Sequence, residues 1–246
     1  MNGVLHGMGT IFRALGYLWR HPSLVPLVLA PMALTLALMV GLFSATLVGA
    51  PGVMMALFPR PEDGALLHDF AIGLLYMSLL ALAVLGGWVA GNMLSAPIYD
   101  VLAGRVENAE LGIDDEDFSW GRLFSDAWMS VRHSLAGFAL YLAVMLPILS
   151  LNLVPVVGSV LASLASALAT AFFVAREVMD IPLSRRRMSF RDKLAYLREH
   201  RAAVGGHGAV VAVLLMIPLA NLLVTPVAVL GASLLFCELE REAAQA

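Results

Sequence analysis

Four stretches of this chain contain no Asp, Glu, Lys or Arg, and they decide which solvent it can fold in. Between His21 and Arg60 lie 38 such residues, between Asp69 and Asp100 lie 30, between His133 and Arg176 lie 42, and between Arg201 and Glu238 lie 36. About 20 apolar residues cross the hydrocarbon core of a bilayer, so each stretch is long enough to do so. Overall, 60% of the 246 residues are hydrophobic and 13% are charged, against about 45–50% and about 25% in an ordinary soluble domain. The expected class is an all-α integral membrane protein. Residues Met1 to Thr10 contain no Lys or Arg ahead of the first apolar run, so they do not read as the basic start of a signal peptide, and that run is expected to remain in the mature protein. The single cysteine, Cys237, allows neither an intramolecular disulfide nor a thiolate metal cluster and reads as a small packing residue.

The distribution of basic residues orients the chain. Eight of the 15 fall between Arg176 and Arg201, and the positive-inside rule places that segment in the cytoplasm. Arg60 stands alone beside Glu62, Asp63 and Asp69 on the opposite side. Spanning helices are expected at 24–50 and 70–97, with residues 100–133 returned to the cytoplasmic or interfacial side and both termini cytoplasmic. The remaining apolar segments, 134–175 and 208–237, then begin and end on one side, so each is expected to be a helical hairpin flanking the basic segment 176–206.

The two share a pattern. Met145-Leu146-Pro147 is followed by Asn152, Pro155 and Gly158-Ser159, and Met216-Ile217-Pro218 by Asn221, Pro226 and Gly231-Ala232-Ser233. Proline removes a backbone donor and disfavours helix in the residue before it, so the paired prolines predict the turns. About ten residues on each side of the second turn make arms of roughly 15 Å, half of the roughly 30 Å core. The second hairpin is therefore expected to dip into the membrane without crossing it.

Amphipathic helices are expected in the interface. Leu5, Met8, Phe12, Leu15 and Trp19 recur at helical spacing opposite His6, Arg13 and Arg20, forming an interfacial helix within 1–20, and Trp120, Leu123, Phe124, Ala127, Trp128 and Val131 do the same opposite Arg122 and Asp126. Ser189 and Asp192 predict a capping box for a helix with Phe190, Leu194 and Leu197 on one side. The basic remainder suits anionic lipid headgroups.

The stretch Gly91-Asn92-Met93-Leu94-Ser95-Ala96-Pro97 continuing through Leu102 to Glu107, then Asp180-Ile181-Pro182 with Phe190 downstream, and finally Met216-Ile217-Pro218 through Asn221 and Pro226-Val227-Ala228-Val229 to Gly231-Ala232, resemble the CysZ-type sulfate permease family, which shares its domain with a eukaryotic etoposide-induced membrane protein. The resemblance covers most of the chain in order. It implies a single membrane domain of two long transmembrane helices plus two partly penetrating hairpins. It also implies a homo-oligomeric permease or channel in a bacterial inner membrane, admitting sulfate for cysteine synthesis without a cofactor. Members of that family carry two adjacent arginines, implicated in sulfate binding, after a Pro-Gly segment ahead of the first long helix. The matching stretch here is His21-Pro22-Ser23-Leu24-Val25-Pro26, with Val25 and Pro26 in the arginine places.

An oxyanion then needs other donors. Arg20 and His21 are the nearest basic residues; Thr225 followed by Pro226 reads as an N-cap and first helical position, offering free backbone N–H groups, and Asn152 and Asn221 offer side-chain amides. Each has a plainer reading, as interfacial anchor or turn satisfier. Gly87 and Gly91 form a small-xxx-small pair for helix packing. His133 and His207 lack partners at metal-ligand spacing, so no metal site is expected. The sequence contains no nucleophile elbow, no HExxH and no paired buried carboxylates, so neither an enzyme nor a nucleic-acid partner is expected. The reading from another class is a membrane-embedded assembly protein that keeps the fold without transport.

Overall fold

The structure, a computed structural model, describes residues 3–61, 65–112, 120–217 and 220–245, with the side chains of residues 65 and 120–134 outside that description. Among the described residues all regular structure is helical: α1 (Gly3–Met8), α2 (Thr10–Arg20), α3 (Val25–Leu57), α4 (Ala65–Leu111), α5 (Trp120–Ser150), α6 (Val157–Arg185), α7 (Phe190–Glu199), α8 (Arg201–Leu215) and α9 (Asn221–Gln245). Five of them, α3, α4, α5, α6 and α9, are long and apolar enough to cross a membrane. At 1.5 Å per residue α8 is only about 22 Å long, short of the roughly 30 Å core.

The chain divides into two compact units, Pro26–Tyr99 and Met1–Val25 with Asp100–Ala246. In the first, α3 pairs with the part of α4 up to Tyr99. The predicted small-residue contact is present: a Cβ on Gly87 would lie 2.6 Å from the Met39 Cα, and one on Gly91 2.6 Å from the Thr35 Cα. With no hydrophobic driving force between helices in lipid, this backbone approach supplies the packing that holds such a pair. The Tyr76 hydroxyl donates to the Leu47 carbonyl at 3.1 Å, and the Arg60–Asp69 ion pair sits beside the connection.

In the second unit α9 is the central helix, with Val227 through Cys237 all buried. On α8, a Cβ on Gly206 would collide with the Val4 carbonyl and one on Gly208 with the Ala171 carbonyl, so these glycines admit α1 and α6 to backbone distance. His207, between them, is fully buried and donates from Nε2 to the Ala228 carbonyl at 3.2 Å. The capping box at Ser189 and Asp192 is formed in both directions at the start of α7. In α1 and α2 the predicted apolar stripe faces outward: Leu5, Met8, Phe12, Leu15 and Trp19 are all exposed, whereas Gly7, Thr10, Ile11 and Ala14 are buried. A stripe of that kind facing outward suits lipid.

Two expectations about the hairpins change. The helix break between α5 and α6 falls at residues 151–156, beyond Pro147, and α9 begins at Asn221, ahead of Pro226. Pro147 lies inside α5 and Pro226 inside α9, because the φ that proline imposes is helical and a long apolar helix absorbs one lost hydrogen bond. The arms are also longer than the charge-free counts suggested. They run to 31 and 29 residues in the first hairpin and 15 and 25 in the second, because α6 and α9 continue into charged sequence as far as Arg185 and Gln245. Of the four arms only α8 keeps a length too short to cross. Pro218 and the amphipathic side chains at 120–131 lie outside the described residues; the backbone of the latter begins the unbroken α5.

Candidate functional site

Helix α2 ends at Arg20, and the chain turns through a short 3-10 segment, Pro22–Leu24, before α3. Pro22 at its first position needs no donor and pre-sets the backbone. His21 closes α2: its backbone N–H bonds to the Tyr17 carbonyl at 2.9 Å, its Nδ1 lies 3.2 Å from the same oxygen, and its ring stacks on Tyr17 at 4.1 Å between centroids. With Nδ1–H donating there, Nε2 of His21 is left for a ligand.

This turn and the last part of α4 enclose an open cavity of about 240 Å³ lined by Tyr17, His21, Ser23, Leu24, Arg105, Asn108 and Ala109. That exceeds one water's share of liquid, about 30 Å³, and falls below the 300–1,000 Å³ of sites for larger organic ligands. It is the size for a small ion that retains part of its water.

The charges around it are unevenly matched. On the end of α4, Asp100 pairs with Arg185 at 3.1 Å, Glu107 with the same guanidinium at 3.3 Å, and Glu110 with Arg241 at 2.7 Å. Arg105, the one basic residue between Asp100 and Leu111, is exposed and makes no ion pair or hydrogen bond among the described residues. Arg185 thus serves two of these carboxylates and Arg241 the third, and Arg105 on the cavity wall takes part in none of these pairs. Burial, then the Glu110 carboxylate, pushes the Tyr17 hydroxyl up to about 12, so it stays a neutral donor.

Of the five residues predicted to meet an anion, only His21 lines this cavity. Arg20 is exposed beside it and outside the wall. Asn152 sits in the exposed turn between α5 and α6, its amide donating to the Leu149 carbonyl at 3.1 Å. Asn221 and Thr225 share the first turns of α9, but Thr225 does not cap a helix: α9 begins at Asn221, and the Thr225 hydroxyl donates to the Asn221 carbonyl at 3.0 Å. The Asn221 side-chain oxygen is buried without a hydrogen-bond partner. The recess near these residues, about 120 Å³, is lined by Ile11, Leu15, Leu214, Leu223, Val224 and Val227, an apolar wall that offers an anion nothing. Arg105 escaped the sequence reading because an arginine among acidic residues reads as an ion-pair partner until the structure shows those acids already taken. Among the described residues no group of three His, Cys, Asp or Glu side chains is placed to hold a metal.

Comparison with known proteins sets this geometry in a family. The profile described as "Sulfate transporter CysZ/Etoposide-induced protein 2.4" matches residues 10–226. A sulfate transporter CysZ of Pseudomonas fluorescens Pf0-1 is 30% identical over 217 residues, 87% of this chain and 86% of its own length. One from Pseudomonas aeruginosa LESB58 is 29% identical over 226 residues, covering 91% and 92%. A third, from Pseudomonas fluorescens Pf-5, is 34% identical over 144 residues, 58% of this chain and 57% of that relative. With its five apolar helices and a profile match running through nearly all of them, this multi-pass membrane chain belongs to the sulfate transporter CysZ/etoposide-induced protein 2.4 family.

Proposed function

We propose that the chain is a permease or channel admitting a small oxyanion, sulfate, across a bacterial inner membrane to supply cysteine synthesis. The observation that carries this reading is the family match over residues 10–226, together with relatives named sulfate transporter that align over most of both chains. Within it, α3 and α4 span the bilayer. The α5–α6 and α8–α9 hairpins enter from the cytoplasmic side, where the basic segment 176–206 and both termini lie, and α2 rests in the interface beside anionic lipid. A hairpin turn held at membrane depth must be covered by protein or line a wet passage, and a second copy of the chain provides that cover. The mechanism needs no cofactor: loose binding at sites of positive potential, with release to the other side, suffices for conduction.

Purified protein in liposomes with radiolabelled sulfate tests this directly. Flux above empty vesicles, falling with competing sulfate, is expected; no excess flux at several pH values would sink it. The second reading, a membrane-embedded assembly protein without transport, is favoured by Val25 and Pro26 standing where an arginine pair is expected. It predicts that same absence of flux alongside an intact oligomer.

A further inference from the structure

We infer that the apolar recess between α2, the end of α8 and the start of α9 holds one acyl chain of an anionic membrane phospholipid. The inference goes beyond the permease reading and takes from it only the place of α2 in the membrane interface. Ile11 and Leu15 of α2, Leu214 of α8, and Leu223, Val224 and Val227 of α9 line the recess, whose volume is about 120 Å³. Aliphatic side chains of this kind offer water no hydrogen bond, and apolar cavities of about 150 Å³ stay dry and take up hydrocarbon.

Three features choose the occupant. The first is continuity with the outward stripe of α2. Leu15 belongs to both, 42% exposed, beside the exposed Met8, Phe12 and Trp19. Leu223 on the wall is 44% exposed, and Met216 and Ile217, which follow Leu214 in the chain, are exposed as well. The recess thus opens past apolar side chains toward a face that suits lipid. An interfacial helix sinks its apolar face about 5–10 Å into the boundary between headgroups and acyl chains, the depth at which those chains begin. The second feature is size. With its side chains a helix is about 10–12 Å across, so a helix of a second copy covers the mouth without entering, whereas an alkyl chain is one carbon wide. The third is charge. Arg20 ends α2 at the edge of the same stripe and is exposed; a cation placed there reaches headgroup level and favours anionic lipid.

The test uses whole protein in detergent, mixed with phosphatidylglycerol or phosphatidylcholine, washed, and read by native mass spectrometry. Wild type is compared with V224W, L223Q, R20Q and the control L164W, at an exposed position on α6. A phosphatidylglycerol with a photoactivatable group in one acyl chain locates the contact by peptide mapping. Wild type is expected to keep one phosphatidylglycerol per chain, with adducts concentrated on the residues of the recess. V224W fills the recess and L223Q makes its mouth polar, so each should weaken retention about tenfold, the equivalent of roughly two buried methylenes. L164W should match wild type, and R20Q should erase the preference for phosphatidylglycerol. If V224W fails to fold, L223Q, at an exposed position, decides. Adducts spread evenly over α2, α5 and α6, or wild-type retention by L223Q, overturn the site. Equal retention of the two lipids by wild type overturns the anionic occupant. Dissociation of the oligomer in L223Q with no change in bound lipid gives the recess to a side chain of a second copy and overturns the lipid. None of these readouts depends on sulfate flux, so this inference and the permease reading fail separately.

Discussion

In the α5–α6 hairpin only 6% of the apolar stretch of the first arm and 11% of the second is buried by protein, whereas in α9 the figure is 72%. The two hairpins nonetheless carry the same run of Met, Pro, Asn, Pro and small residues. They are packed over different fractions of their length. Along its length α9 is packed: Leu230, Ala232, Ser233 and Leu235 are fully buried, and α8 beside it brings glycines to backbone contact with its neighbours. The first hairpin is held at its base, where Ala175, Met179 and Leu183 of α6 are fully buried and Gly208 of α8 meets the Ala171 carbonyl. There Arg185 reaches Asp100 and Glu107, Lys193 joins Asp180 and Ser184 at 2.8 and 2.7 Å, and the Arg176 guanidinium lies 5.3 Å from the Phe190 ring centroid. Farther out, Leu153, Val156, Leu164 and Leu168 are exposed, and Val156 at the tip adopts φ 63°, a strained value for a β-branched residue. Matching sequence patterns therefore do not make matching structural parts: one hairpin leaves its apolar surface uncovered by this chain, and the other buries it as core.

The sharpest break of that contrast is a pair of truncations. Leu235→Ala should destabilise the protein by roughly 2–5 kcal/mol through the cavity it leaves, while Leu164→Ala stays within about 0.5 kcal/mol, as expected away from packed positions. Unfolding in detergent, followed by circular dichroism, reads both, and equal losses would dissolve the distinction. Next comes Leu164→Lys. If the outer part of the first hairpin meets hydrocarbon, the charge costs about 2.5–3.5 kcal/mol on an insertion scale, seen as lost membrane integration; unchanged integration would place that face in water.

A smaller effect is expected at the link between the hairpins. Ser189→Ala removes the α7 capping box and should cost about 1 kcal/mol, whereas Ser189→Asp should retain most of it; thermal midpoints compare them.

Much of this architecture was legible in the sequence. The charge-free runs announced apolar helices, Ser189 and Asp192 announced a cap, Gly87 and Gly91 announced a close helix pair, and the stripe from Leu5 to Trp19 announced a surface helix. These are local signals, decided by spacing along one helix. The turn positions were misjudged because proline's backbone preference is compatible with helix and only its lost donor opposes it, a cost that long helices such as α5 and α9 carry. At the candidate site His21 was legible from its place before the first long helix, and Arg105 was not.

The residues alone determined the solvent and the helical class, since bilayer thickness and hydrogen-bond demand leave a chain of this composition few alternatives. Only the tertiary structure decided which of two similar hairpins becomes core, and which arginine near the Pro22–Leu24 turn stays unpaired. Both depend on contacts between residues far apart in sequence. The partners of Asp100, Glu107 and Glu110 lie on α6 and α9, 78 or more positions away, and no spacing along α4 reveals that those carboxylates pair there and not with Arg105.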